Sequence, residues 1–205
     1  MRRLLSLFFL CAALARAQDY DLVIRHARIV DGTGTPAVSG DIAVRGGRIA
    51  AVGKFDGAGR TEIDAADRVV APGFIDVHTH SEDITELPVA ENFLRMGVTT
   101  IVVGNCGGSE PDIAAFFREL EKTPVAPNVA TLIGHNTVRN AVMGGSFRRP
   151  PTADEIQAIR ERVDKAMRAG AVGLSTGLIY LPGTFSKTEE IIDLARVAGE
   201  RGGIY

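Results

Sequence analysis

The sequence has few cysteines, no excess of charge of either sign and no repetitive tract. Only two of the 205 residues are cysteines, which excludes a scaffold stapled by several disulfides. The 23 basic residues nearly balance the 25 acidic ones, and the formal net charge of −2 argues against a nucleic-acid or polyanion binder. With 45% hydrophobic and 23% charged residues, the composition is that of a globular protein rather than a disordered chain.

Residues 1–17 have the layout of a secretory signal peptide. Arg2-Arg3 gives a basic start, an apolar run extends from Leu4 to Ala15, and Ala17 ends a small-residue cleavage motif. The apolar run is shorter than the about 20 residues of a membrane span, so an uncleaved membrane anchor is the less favoured alternative. We therefore expect an exported protein, periplasmic or secreted, that is not held in a membrane after cleavage.

Residues 18–71 predict a small β domain, interpreted as a partial β-sandwich. Alternating strands flank Gly46-Gly47, and two glycines between two strands accept the positive φ angles of a hairpin turn. Another strand pair is predicted around residues 61–63 and 68–70. Because this stretch is short, its core is expected to be thin.

From residue 72 onward the sequence alternates between strand and helix patterns. Strands are predicted at residues 73–77, 98–103, 128–133 and 171–175, with another beginning at residue 202. Helices are predicted at residues 89–96, at 112–120, after a capping box of Thr152 with Glu155, and after a second box of Ser186 with Glu189. Gly170 is placed to end the helix that Thr152 begins.

Strands that alternate with helices favour parallel pairing with right-handed crossovers. Residues 72–205 therefore predict an α/β fold, the first half of a (β/α)8 TIM barrel that stops at its fifth strand. The alternative is an open doubly wound sheet, but no glycine-rich phosphate-binding motif follows the first strand.

Two histidines directly follow the first strand of the predicted barrel. His78 and His80 lie two residues apart, and on an extended backbone such side chains point to the same side. Two imidazoles placed in this way can bind one metal ion, and a strand end is a favourable place for them. Asp76 lies on the same face and is a candidate carboxylate for orienting one of these ligands.

Cys106 follows the second strand within Gly104-Asn-Cys-Gly-Gly. A thiolate is a strong zinc ligand, and coordination would protect a cysteine that has no partner in the mature chain. A buried, inert cysteine is an equal alternative on position alone. Together with the histidines of the neighbouring strand, the ligand interpretation is favoured.

Polar and aromatic residues also follow the third and fourth strands. His135 is a candidate for substrate binding or a further metal ligand, although a structural histidine is an open alternative. Tyr180 is a candidate for covering the substrate pocket. Arg139, Arg148 and Arg149 are weaker candidates for attracting an acidic substrate, because arginines in loops are usually solvated.

These motifs resemble a known group of enzymes over residues 20–205. The stretch Ala71-Pro-Gly-Phe-Ile-Asp-Val-His-Thr-His80 is similar to the amidohydrolase superfamily of metal-dependent hydrolases. Within it, the chain resembles the N-acyl-D-amino-acid deacylase (D-aminoacylase) branch. The motifs that carry this narrower resemblance are Gly104-Asn-Cys-Gly107, Gly134-His-Asn-Thr-Val-Arg139 and Ser175-Thr-Gly-Leu-Ile-Tyr180.

The resemblance implies a zinc hydrolase that splits small N-acyl-D-amino acids into a carboxylic acid and a D-amino acid. It implies that Cys106 is a principal zinc ligand and that His78 and His80 form a second, weaker metal position. Two further histidines and a catalytic base carboxylate are expected beyond Tyr205. The chain is accordingly expected to be an incomplete fragment of the enzyme.

Two alternatives stay open. One keeps the fold and changes the substrate to cyclic amides of the dihydroorotase or hydantoinase type. Such relatives usually carry a carboxylated lysine after the fourth strand, and residues 171–180 contain no lysine. The other is a catalytically inactive half-barrel with open strand edges that favour association.

Overall fold

The structure, a computed structural model, describes residues 18–205. The predicted signal peptide, residues 1–17, lies outside the described residues. The chain divides into two compact units, the first ending at Pro72 and the second spanning Gly73–Tyr205. Among the helices of the described part, none is both long and apolar enough to cross a membrane.

The first unit is built around one long strand. Its five strands form a single sheet in the order β3-β2-β1-β4, with β5 also paired to β1. β1 pairs antiparallel with β2 and parallel with both β4 and β5. The strands are β1 (Gln18–Ile29), β2 (Val38–Arg45), β3 (Arg48–Gly53), β4 (Ala58–Asp64) and β5 (Val69–Val70).

The predicted hairpin is confirmed. β2 and β3 pair antiparallel, and Gly46 and Gly47 form the turn with φ angles of 58° and 71°. Such angles are easy for glycine because it has no Cβ.

The predicted pairing of residues 61–63 with 68–70 is wrong. Both segments contain strands, but each pairs with β1 and not with the other. The reason lies in the connection between them, where the Ala65 N–H donates to Arg25 O and the Asp67 N–H donates to His26 O. Because β1 satisfies these backbone groups, the chain runs on along the same edge and does not fold back.

The core of the first unit is small, as expected for its length. Its buried cluster consists of Ala27, Ile29, Ile42 and Ala65. The described residues form one sheet here, and the second sheet that a sandwich requires is not among them.

The second unit alternates strands and helices along the chain. In chain order its elements are β6 (Phe74–Asp76), α1 (Glu91–Arg95), β7 (Val98–Val103), α2 (Ile113–Lys122), β8 (Asn128–Thr131), β9 (Ile133–Gly134), α3 (His135–Met143), α4 (Ala153–Arg168), β10 (Leu174–Ser175) and α5 (Thr188–Glu200).

The strands of the second unit pair in sequence order, and every pairing is parallel. β6, β7 and β8 form one sheet, and β9 pairs with β10. β8 and β9 are two parts of one extended segment interrupted at Leu132, whose N–H donates to Val103 O. A parallel bridge between Gly173 and Ile204 continues the order beyond β10. The predicted alternation of parallel strands and helices is therefore confirmed.

Helices α3, α4 and α5 cover the strands with apolar side chains. Ile133 and Leu174 of the strands pack in one buried cluster with Ile159, Val163 and Leu194 of the helices. Ile101 and Val103 of β7 form a second cluster with Phe116 of α2. Because the strands are parallel, the loops that leave them gather at one edge, at the carboxyl ends of the strands.

Of the two predicted capping boxes, the structure forms one. Thr152 caps α4, accepting from the Glu155 N–H, while the Glu155 carboxylate accepts from the Thr152 N–H. The prediction that Ser186 caps the last helix is wrong, because α5 has Lys187 at its N-cap and no side-chain cap. The Ser186 hydroxyl lies 3.4 Å from His135 Nε2 instead, so a tertiary contact replaces the local one.

Candidate metal centre

The structure brings His78, His80 and Cys106 together. One potential ligand atom from each of these side chains lies within 4.8 Å of the other two. Cys106 Sγ is 3.4 Å from His78 Nε2, and the two imidazole ring centroids are 5.4 Å apart. These three residues are the only such group of potential metal ligands in the part of the chain that the structure describes.

The turn that carries Cys106 has an unusual backbone. Gly104, Cys106 and Gly107 all have positive φ angles, of 79°, 55° and 78° respectively. A non-glycine residue seldom adopts such an angle unless its surroundings impose it. At Gly104 a Cβ would also overlap the carbonyl oxygen of Leu132, so close backbone packing requires glycine there.

The loop that carries the histidines is bonded to the end of β7. Thr79 lies between the two histidines in the sequence and is buried. Both its N–H and its hydroxyl donate to Val102 O. The buried Asn105 amide donates to the same carbonyl at 2.9 Å. Glu82 adds a further link, because its Oε1 accepts from the Gly104 N–H at 2.8 Å. The histidine loop and the cysteine turn are thus held as one assembly.

Asp76 contacts the backbone of a histidine and not its ring. Its Oδ1 accepts from the His78 N–H at 3.2 Å. The carboxylate therefore constrains the loop that carries His78, which differs from the ring-orienting contact expected from the sequence.

A cavity of about 490 Å³ opens beside the cluster. His80 and Cys106 line it, and Tyr180 from the loop after β10 lies on its wall, as the sequence predicts for a pocket residue. Glu82 and Glu110 add carboxylates to the lining, and none of its described residues is a lysine or an arginine.

His135 does not reach this cavity. Its side chain is 0% exposed, and its Nε2 lies 2.9 Å from Glu190 Oε1. Arg139 is also 0% exposed and donates from Nη1 to both carboxylate oxygens of Glu190 and from Nη2 to Phe147 O. Burial raises the pKa of Glu190, but the hydrogen bonds from His135 and Arg139 and the charge of Arg139 outweigh it, so the net pKa is lowered.

The predicted substrate contact of His135 is therefore corrected to a structural one. A ring with no exposed surface cannot contact a molecule in the cavity, and α5 covers it through Glu190. Arg139 and Arg149 are not free to attract an acidic substrate either. Arg139 pairs with Glu190, and Arg149 pairs with Glu155 at 2.6 Å.

Three residues of the centre are not among those predicted. Glu82 continues the two-residue spacing of the histidines, so the same argument that selects them could have selected it. Asn105 precedes Cys106 directly, and nothing in the sequence indicates that its side-chain amide bonds the Val102 carbonyl. Ser175 ends a predicted strand, and only the structure shows that its hydroxyl contacts the cysteine turn.

The donor set suits a zinc ion. Nitrogen and sulfur are the donors that zinc prefers, and three protein ligands with one open position are typical of catalytic zinc. On one tetrahedral ion, an imidazole nitrogen and a thiolate sulfur lie about 3.5 Å apart, given the usual bond lengths. The 3.4 Å between Cys106 Sγ and His78 Nε2 agrees with this separation.

Comparison with known proteins identifies the family. Residues 61–205 match the model of the Amidohydrolase family. Since the match covers more than half of the chain, the chain belongs to this family, and the resemblance seen in the sequence is confirmed.

Within the family, the chain is similar in sequence to deacylases of D-amino acids. D-aminoacylase from Alcaligenes xylosoxydans xylosoxydans is 38% identical over 214 residues, which cover 92% of this chain and 44% of that protein. N-acyl-D-aspartate deacylase from the same organism is 40% identical, over 90% of this chain and 42% of that protein. The chain thus spans under half the length of these relatives.

A solved structure supports the same relationship. N-acyl-D-glutamate deacylase from Bordetella bronchiseptica is 40% identical, with a TM-score of 0.85 over 89% of this chain and 43% of that one. That protein was crystallised with zinc and a phosphonate inhibitor that mimics the tetrahedral intermediate of its reaction. The predicted fold class, an α/β amidohydrolase fold that matches part of the longer relatives, is confirmed.

Proposed function

We propose that the protein is a zinc-dependent amidohydrolase that cleaves the linear amide bond of N-acyl-D-amino acids, releasing a carboxylic acid and a D-amino acid. The observation that carries this proposal is the convergence of two imidazoles and one thiolate beside a cavity, which His80 and Cys106 line. The relatives named as D-amino-acid deacylases support the substrate class.

His78, His80 and Cys106 would hold the metal. When bound, a zinc ion supplies Lewis acidity that polarises an amide carbonyl and acidifies water. The chain's own contribution is to fix the three donors. The Thr79 and Asn105 hydrogen bonds to Val102 O keep the two loops in register, and the Glu82 carboxylate holds the start of the cysteine turn.

The cavity would receive a small-molecule substrate beside these donors. Tyr180 offers an aromatic wall against which an acyl chain or an amino-acid side chain can pack. The carboxylates of Glu82 and Glu110 make this side of the cavity acidic, which favours neutral or basic substrate groups next to them. The base carboxylate of the reaction and the closure of the parallel strands into a full barrel remain part of the proposal, as does export through the predicted signal peptide.

Removing the thiolate tests the metal site. The Cys106→Ala variant is expected to lose tightly held zinc, since a thiolate is among the strongest ligands for this ion. Metal content after dialysis is measured by atomic spectroscopy. The matched control is His26→Ala, which removes an exposed imidazole that pairs with Asp64 in the first unit. Unchanged zinc in Cys106→Ala would remove this residue from the ligand set.

The substrate class is tested separately with paired enantiomers. In a full-length enzyme that carries this chain, N-acetyl-D-amino acids are expected to be hydrolysed and the matching L-forms to be left intact, with amine release as the readout. Equal rates on both enantiomers, or hydrolysis of cyclic imides alone, would contradict the proposed substrate even if the zinc site holds.

A further inference from the structure

The Ser175 hydroxyl contacts both ends of the turn that carries Cys106. Ser175 is the last residue of β10 and is 9% exposed. Its Oγ accepts from the Gly107 N–H at 3.0 Å and donates to the Gly104 carbonyl at 2.5 Å. A hydroxyl has one donor hydrogen and two acceptor lone pairs, so one side chain can form both bonds at once.

We propose that Ser175 is a positioning residue that holds the Cys106 thiolate in place for the metal. This inference rests on the proposed metal site and extends it to a residue that does not touch the ion. Ser175 lies on the fourth strand segment of the second unit, whereas the cysteine follows the second, so the contact links two parts of the chain about 70 residues apart.

We call the two hydrogen bonds of the Ser175 hydroxyl, to Gly104 and Gly107, the clamp. The backbone conformation of the turn explains why the clamp is needed. Cys106 has a φ of 55°, which a residue with a side chain rarely keeps unless surrounding contacts enforce it. Ser175 bonds the residue two before Cys106 and the residue directly after it, so it fixes the span in which the left-handed residue lies. Loss of these bonds weakens the restraint on the φ angle of Cys106, and an ordinary φ turns its side chain in another direction.

Two further contacts, from α3 and from the loop after β10, also restrain the cysteine turn. The Thr137 N–H donates to Gly107 O at 3.2 Å. Gly177, two residues after Ser175, packs so closely that a Cβ there would overlap the carbonyl oxygen of Cys106. With its backbone enclosed in this way, Cys106 directs its Sγ toward His78 Nε2 at 3.4 Å.

A ligand fixed before the metal arrives loses less conformational freedom on binding, and loss of the clamp should therefore weaken binding. Groups that orient metal ligands from outside typically contribute 10- to 100-fold in affinity. For Ser175→Ala we expect the zinc dissociation constant to rise by about 10-fold or more on that basis. Zinc affinity is measured by competition with a chromophoric chelator.

Two further variants and one spectroscopic measurement distinguish a role of Ser175 in positioning Cys106 from a general effect on the fold. Thr131→Val removes a hydroxyl that is also buried, at the end of β8, but donates to Leu132 O, and it should leave zinc affinity unchanged. Ser175→Thr keeps a hydroxyl and should restore most of the affinity. In the cobalt-substituted protein, the thiolate-to-cobalt charge-transfer absorption should weaken in Ser175→Ala and persist in both other variants.

Amide exchange in the unmodified, metal-free protein gives a test that needs no variant. The Gly107 amide hydrogen should be protected, because the clamp forms without the metal; rapid exchange there would overturn the proposal. So would zinc affinity and cobalt spectra in a folded Ser175→Ala that match those of the unmodified protein. If Cys106→Ala loses zinc while Ser175→Ala does not, only this inference fails and the proposed metal site stands.

Discussion

At the scale of single residues, Arg139, Glu190 and His135 form a buried group in which the loss of one partner is more costly than in an exposed ion pair. Arg139 is fully enclosed, and its partner Glu190 is bonded by both cationic and imidazole donors. Burying two charges is costly, and the cost is offset only while both partners are present. The group connects α3 to α5 and also bonds the loop after α3 through Phe147 O.

Removal of one charge from this pair should strongly destabilise the fold. For Arg139→Met we expect a loss of about 3–5 kcal/mol in the free energy of unfolding, because Glu190 is left as a buried, uncompensated charge. Urea unfolding is followed by circular dichroism, since the chain has no tryptophan for fluorescence. The matched control is Arg160→Met, which breaks an exposed pair with Asp193 and should cost at most about 1 kcal/mol. Equal losses in the two variants would contradict the assignment.

The same pair predicts how stability depends on pH. The pKa of Glu190 lies below its ordinary value of 4.5 in the folded protein, as the bonds from His135 and Arg139 outweigh the effect of burial. Its ionised form therefore contributes stability that is complete above pH 4.5 and is lost as the pH falls through the folded pKa. In Glu190→Gln this part of the acid dependence should be absent, which urea unfolding at a series of acidic pH values can measure. A Glu190→Gln profile parallel to that of the unmodified protein would exclude the effect.

At the scale of elements, helix α4 is defined both by local sequence features at its ends and by the packing of its apolar side chains in the core. Its capping box occupies the first turn, Gly170 with a φ of 108° follows its end, and Ile159 and Val163 face the core between them. Arg149, outside the helix, pairs with the Glu155 of the box. The bond from Arg149 and the Thr152 N–H lower the pKa of Glu155 to about 2. Ionised Glu155 therefore supports the helix above its ordinary pKa of 4.5, and this support is lost as the pH falls toward 2.

Removal of the cap should destabilise the protein moderately. Thr152→Ala is expected to cost about 1 kcal/mol, because the Glu155 N–H loses its acceptor. The free energy of unfolding is again measured by urea titration. Thr188→Ala, at an exposed position in the first turn of α5, is the matched control and should change stability by less than about 0.5 kcal/mol. A smaller loss for Thr152→Ala than for Thr188→Ala would contradict the role of the box.

At the scale of the whole molecule, the three proposed metal ligands all belong to the second unit. They follow β6 and β7, whereas the described residues of the first unit hold no group of three potential ligands. A ligand that binds only the folded state stabilises it, by about 2.7 kcal/mol when present at 100 times its dissociation constant. We expect zinc to stabilise the second unit, which contains His78, His80 and Cys106.

Zinc should accordingly protect one unit selectively. Hydrogen exchange followed by mass spectrometry is expected to slow on zinc addition in peptides from residues 74–108. Exchange in peptides from residues 18–70 is expected to stay the same. Cys106→Ala should remove the difference, and addition of a chelator should reverse it. Protection spread equally over both units, or retained in Cys106→Ala, would show that zinc acts elsewhere.

The sequence alone determined the alternation of elements, the hairpin at Gly46-Gly47 and the start and end of α4. It also predicted that His78, His80 and Cys106 lie close together. These features depend on residues close in the chain, or on the rule that parallel strands end at the same edge. Tertiary structure decided the partners of β4 and β5, the burial of His135 against Glu190, and the contact of Ser175 with the cysteine turn. Each of those is set by backbone and side-chain groups far apart in sequence, which compete for the same partners only once the chain has folded.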